Sequence, residues 1–157
     1  LIVGEAPPWH DLSQVIESLD LNENVLLTGR VSLSDFYAYA GASDVCLGLR
    51  YPTSGETSGA VLRVMAAGRP VIISSVGSFA ELPEDTCVQV PVDSGEEDGI
   101  LESLERLAMD AGLRTRLGAQ ARRYVTENHS WPKAAQLYHQ FIEETLDGLR
   151  PEWSRKD

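Results

Sequence analysis

The sequence predicts an α/β domain: a Rossmann-like parallel sheet with helices on both faces and extra helices at its C-terminus. Three observations carry this. Short apolar runs alternate with stretches of helical spacing over residues 1–91. Those runs are apolar at consecutive positions, as in strands covered on both faces, rather than at every second position. After residue 95 the strands stop, and three helical stretches follow one another. Strands alternating with helices imply parallel pairing and right-handed crossovers.

The elements follow in order. LIVG (1–4) reads as a strand already in progress, so the domain is expected to be incomplete at its N-terminus and the chain to open inside a larger protein. PPWHDLSQVIESLDL has helical spacing at Leu12, Val15, Ile16 and Leu19. NVLLTG (24–29) is the second strand. Residues 32–43 form a helix with Ser32 as N-cap, Asp35 in the first turn, and Leu33, Phe36, Tyr37 and Ala40 on one face. DVCLGL (44–49), PVIIS (70–74) and CVQVP (87–91) are strands, with a helix over 58–67 between the first two. Residues 95–109, 111–127 and 132–149 are helices; Pro132 suits the first turn of the last, and 150–157 is a frayed tail.

Bulk properties narrow the function. The chain has 157 residues, 43% hydrophobic and 24% charged, enough for one packed domain. No apolar run reaches the roughly 18 residues of a membrane span, and the opening has no basic segment of a signal peptide. Peripheral membrane association is left open. Cys46 and Cys87 sit in apolar runs and read as buried thiols of a reducing compartment, so a cytoplasmic location is expected. No metal-ligand spacing is present, and no metal or other cofactor is expected. The net charge of −11 argues against a nucleic-acid partner. Residues 21–80 are neutral, with four bases (Arg30, Arg50, Arg63, Arg69) and four acids, so an anionic ligand is expected there.

Ligands of open parallel sheets bind beyond the carboxyl ends of the strands. The loops at those ends are TGRVS (28–32), RYPTSGETSG (50–59) and SSVGSFAEL (74–82), each with glycine and a hydroxyl residue. In the second, a lone carboxylate, Glu56, stands among small and hydroxylated residues before an apolar helix. Thr57 or Ser58 can cap that helix. Its first N–H groups and its dipole favour a phosphate. The same pattern also suits a plain capped turn, with Glu56 an exposed carboxylate and Arg63 a surface cation.

SGETSGAVLRVMAAGRPVIISSVGSFAEL resembles the donor-binding segment of glycosyltransferase family 4 (glycosyl transferases group 1), enzymes of GT-B fold. NVLLTGRVSLSDFYAYAGASDVCLGLR is similar to the segment before it, and ARRYVTENHSWPKAAQLYHQFIEETL to the family's closing helices. The resemblance implies that 1–157 is a partial C-terminal nucleotide-sugar-binding domain. A nucleotide-diphosphate sugar would be the substrate, transferred with retention to an unidentified acceptor. A missing N-terminal domain would bind that acceptor, and the isolated chain would be inactive. It implies Glu56 as the catalytic-site carboxylate that takes donor sugar hydroxyls. It implies Thr57, Ser58 and Gly59 for the diphosphate, with Gly29, Arg30, Ser54, Gly55 and Arg63 completing the donor site. One position departs from the family. Its E-x7-E pair ends in a Glu that bonds the ribose; here Arg63 stands there, one residue closer to Glu56, and an arginine cannot accept from ribose hydroxyls. Two alternatives stay open: a non-catalytic nucleotide-sugar-binding or scaffolding domain, and a nucleotide-sugar epimerase of the same fold. A phosphorylase is disfavoured, since the lysines, Lys133 and Lys156, both lie in the C-terminal region.

Overall fold

A computed structural model describes residues 1–7 and 9–149. The expected tail, 150–157, lies outside the described residues. The chain forms two compact units, residues 1–43 and 44–157.

The first unit holds α1 (Leu12–Ser18) and α2 (Leu33–Ala42). Asp11 caps α1 by accepting from the Ser13 and Gln14 N–H groups. Ser32 caps α2, as its position predicts: its Oγ accepts from the Asp35 N–H (3.1 Å) and donates to the Asp35 carboxylate (2.7 Å). Of the expected apolar face of α2, Ala40 is buried and Phe36 half-buried, whereas Leu33 and Tyr37 stay exposed.

The two runs expected as the first strands do not join a sheet. They meet only in two isolated bridges, Ile2 with Leu27 in parallel sense and Gly4 with Gly29 in antiparallel sense. The reversal of sense has a local cause. Gly4 and Gly29 have φ of 120° and 62°, so each turns the backbone out of the extended form just where a ladder would continue.

The second unit contains the sheet. Strands β1 (Cys46–Gly48), β2 (Val71–Ser74) and β3 (Val88–Val90) are parallel in the order β1-β2-β3. Cys46 stands opposite Val71, and Ile72 opposite Val88. α3 (Gly59–Ala66) makes the crossover from β1 to β2. A 3₁₀ turn, Gly77–Glu81, lies on the way to β3, in a stretch expected as loop. The central strand is buried throughout. Its alternation sends Val71 and Ile73 to the face where Val61 of α3 packs, close against Gly48. Ile72 points the other way, into a cluster with Val90, Leu107 and Leu117. Leu107 belongs to α4 (Glu96–Met109) and Leu117 to α5 (Ala111–Asn128). The helices therefore cover both faces, as expected of an α/β parallel sheet.

The joint between α4 and α5 is closed by polar groups. Asp110 caps α5 through the Leu113 N–H (2.7 Å), and the Arg114 guanidinium donates to the Leu107 and Ala108 carbonyls at the end of α4. α6 (Trp131–Leu149) starts after Ser130, whose Oγ accepts from the Lys133 N–H (3.3 Å). Neither cysteine forms a disulfide; Cys87 is buried, but Cys46, expected to be buried as well, is only half so. Among the described residues no helix is long and apolar enough to cross a membrane.

Candidate functional site

The loop between β1 and α3 is built around Glu56. Its carboxylate is engaged on both oxygens. Oε1 takes the Arg50 guanidinium, and Oε2 takes the Ser54 backbone N–H (2.9 Å) and the Thr53 hydroxyl (3.4 Å). Gly55 N–H in turn donates to Thr53 Oγ1 (3.1 Å). This is a tight turn folded onto its own acid, with Gly55 at φ 84°. The Glu56 and Ser54 N–H groups hold the Glu56 carboxyl below the ordinary glutamate value; desolvation opposes them without reversing the direction, and Arg50 adds a smaller lowering. The carboxylate is therefore ionised, and it remains about 40% exposed.

The end of β2 supports this loop. The buried Ser74 hydroxyl accepts from the Arg50 backbone N–H (3.0 Å). The Ser78 hydroxyl donates to the Glu56 carbonyl (2.7 Å). Thr53 lies against Gly77, where φ is 55° and an added Cβ would come within 2.8 Å of Thr53 Cγ2. Two of the three expected loops, 50–59 and 74–82, are thus cross-linked at the carboxyl ends of adjacent strands, where the fold class places ligands.

α3 begins directly after. Of the two candidate caps it is Ser58, not Thr57, that accepts from the Val61 N–H (3.3 Å). Val61, Val64 and Met65 are buried, while Gly59, Ala60 and Arg63 face solvent, so the helix is anchored along one side. Arg63 runs back along the helix, as side chains at i and i−4 do. Its Nη1 lies 2.8 Å from where a Gly59 Cβ would be. Among the described residues it forms no ion pair. A guanidinium therefore rests on the first turn of α3, beside N–H groups that the helix leaves unpaired.

The second unit thus gathers Ser54, Gly55, Glu56, Thr57, Ser58, Gly59 and Arg63 into one loop and helix start. Gly29 and Arg30 belong to the first unit, where Arg30 pairs with Glu5 at 3.3 Å. Arg50, Thr53, Ser74 and Ser78 were not among the residues expected from the sequence. Arg50 figured in the sequence only as one of the four bases of the neutral segment 21–80, and nothing there paired it with Glu56.

A cavity of about 780 Å³ lies elsewhere. It runs along α5 at the amino ends of the strands, lined by Arg69, Arg114, Arg122 and Arg123 with Asp44 and Glu127. Arg114 is bound to the end of α4 and Arg123 pairs with Glu127 (3.6 Å), so this groove is largely a helix-packing seam. The Glu56 loop is open surface by contrast.

A parallel sheet covered by helices on both faces, with a glycine- and hydroxyl-rich loop beyond its carboxyl ends, defines an α/β domain of Rossmann-like class. Residues 1–110 match the model of the glycosyl transferases group 1, and the chain belongs to that family. An uncharacterized glycosyltransferase of Methanocaldococcus jannaschii is 24% identical over 127 residues, 81% of this chain and 32% of its own length. Among solved structures, sucrose-phosphate synthase of Thermosynechococcus elongatus superposes with a TM-score of 0.71 at 24% identity, over 90% of this chain and 38% of that one. HepE of Anabaena, solved with UDP and glucose, gives 0.65 at 22% identity, over 94% and 40%. The fold is that of GT-B glycosyltransferases, and the chain spans about a third of the length of the relatives it matches.

Proposed function

We propose that this chain is the donor-binding domain of a retaining, nucleotide-sugar-dependent glycosyltransferase. The diphosphate would lie over the N–H groups of Thr57, Ser58 and Gly59, and Glu56 would accept from hydroxyls of the sugar. Arg63 would be the cation that meets the phosphates: it rests on Gly59 and, among the described residues, pairs with no acid. That role replaces the ribose contact expected of a Glu at this position. Fixed donors and cations stabilise charge that develops on a departing diphosphate without a metal ion. The observation that carries the reading is a single one: an ionised, half-open carboxylate clamped directly before the capped start of α3. The UDP and glucose solved with HepE support it by analogy of fold alone.

A second reading has an observation of its own. Both Glu56 oxygens are already bonded inside the loop, which is what a purely structural clamp would show. One experiment separates the two. The whole glycosyltransferase is screened against UDP-, GDP- and ADP-hexoses, and the donor it turns over is then titrated with wild type, Glu56→Gln and Arg63→Ala. A charge-assisted hydrogen bond is worth roughly 1.5–3 kcal/mol, so Glu56→Gln should cut transfer about ten- to over a hundredfold, a loss larger than any accompanying fall in thermal stability explains. Arg63→Ala should raise the donor KM. Wild-type transfer by Glu56→Gln, or a loss matched by unfolding, leaves the clamp as the better account.

A further inference from the structure

Resting on that donor-site reading, we propose that Arg50 is the positioning residue for Glu56: its guanidinium on Oε1 fixes the orientation in which the carboxylate meets a donor hydroxyl. An ionised carboxylate has about four acceptor positions, two on each oxygen. The Ser54 N–H and the Thr53 hydroxyl are on Oε2, and the Arg50 guanidinium is on Oε1. Glu56's own N–H draws on the carboxylate as well. Among the described residues Arg50 is the side chain that holds Oε1, and it sets which way the carboxylate faces.

Arg50 is suited to this because its backbone is held first. It follows β1 directly, and its N–H is bound to the Oγ of Ser74, a side chain wholly buried at the end of the central strand. Ser78 holds the Glu56 main chain from the same side, through its carbonyl. The carboxylate is thus referred to β1 through Arg50 and to the segment after β2 through Ser78. Its own loop, which is otherwise glycine- and hydroxyl-rich, does not have to keep it in place. Without Arg50, Oε1 would lose the side chain that holds it among the described residues, and the carboxylate could turn about the bond that leads to it.

The alternative is that Arg50 leaves Glu56 and binds the diphosphate itself. A double-substitution cycle separates the two. In the whole glycosyltransferase, with the donor found by the nucleotide-hexose screen, kcat and the KM for donor and acceptor are measured for Arg50→Met, Arg50→Lys, Glu56→Gln and the double variant Arg50→Met/Glu56→Gln. Arg50→Met should lower kcat/KM for the donor about tenfold or more at unchanged acceptor KM. Arg50→Lys should restore part of it, because a lysine carries the charge without the planar fork. The double variant should transfer no worse than Glu56→Gln. A second readout is independent of activity: by ¹³C NMR titration, the Glu56 carboxyl of Arg50→Met should titrate at higher pH than in wild type. Wild-type kinetics in Arg50→Met would overturn the assignment. So would a double variant whose loss is the product of the two single losses, because Arg50 would then act on the donor directly. Failure of the donor-site reading looks different, since Glu56→Gln itself would then transfer like wild type.

Discussion

Glu56 shows what a single side chain can and cannot announce. A lone acid in a loop of glycines and hydroxyls is visible in the sequence, because nothing in the loop explains it. Its partner is not visible: Arg50 is six residues upstream at a strand end, and only the closure of the loop brings its guanidinium to Oε1. Arg63 is an intermediate case. Its departure from the family Glu is plain in the sequence, but its seat on Gly59 depends on a helix running back over its own first turn. The clamp has a consequence for pH. The Glu56 carboxyl is held below the ordinary glutamate value by its own and Ser54's N–H groups and by Arg50. A group whose folded value is depressed stabilises the fold above its unfolded value, and that contribution disappears as the pH falls through the folded one. Glu56 should therefore still be ionised at pH values below the ordinary glutamate value. Site-resolved ¹³C titration of the Glu56 carboxyl checks this, and a midpoint at or above the ordinary glutamate value would contradict it. In a donor-binding role, the acid limb of donor affinity should lie below the ordinary glutamate range for the same reason.

The helices were legible as elements, because their caps are chemical and local. Ser32, Ser58 and Ser130 accept from N–H groups two or three residues into their helices, and such positions can be read without tertiary information. The strands were legible only as far as partners exist for them. PVIIS, in the centre, is buried at every position of β2. LIVG and NVLLTG are equally apolar, yet they end in two bridges, with Ile2, Leu26 and Leu27 exposed. A strand is stabilised by what pairs with it, and a run of apolar residues does not encode its neighbours. Two substitutions test the elements that did form. Ser58→Ala should cost about 1 kcal/mol, the usual loss of a hydroxyl N-cap, read by chemical denaturation. Gly118→Ala is the more demanding test. In a helix alone, alanine is favoured over glycine by about 1 kcal/mol. Here the added Cβ would run into the Gly68 carbonyl oxygen, a backbone atom that cannot swing aside. Overpacking of this kind costs roughly 1–3 kcal/mol or more, so the clash should win and the melting temperature should fall. A Gly118→Ala variant as stable as wild type would mean that α5 does not approach the α3–β2 turn so closely.

At the scale of the whole molecule, family and fold agree while the chain spans about a third of its relatives. The site described here is correspondingly one-sided. The Glu56 loop lies on open surface, whereas group transfer requires two reactants to be held together with their reacting atoms aligned. Well-oriented intramolecular reactions reach effective molarities of roughly 10⁵–10⁸ M, so positioning alone can supply about 7–11 kcal/mol of a barrier. A domain that grips only the donor gains little of this. On the proposed reading, donor binding draws on groups that the second unit holds: the Glu56 clamp, the start of α3 and Arg63. We therefore predict that residues 1–157, purified alone, bind a nucleotide diphosphate weakly and transfer no sugar. The binding half is read by titrating UDP, GDP and ADP into the labelled chain and following the amide signals of Ser54 to Ala60. Shifts confined to that stretch and to Arg63 support the donor site; shifts along the α5 groove at Arg122 and Arg123 would move it to the other end of the sheet. The transfer half is read by incubating the chain with each nucleotide hexose and a panel of sugar and lipid acceptors. Turnover there would show that the 157 residues hold both reactants.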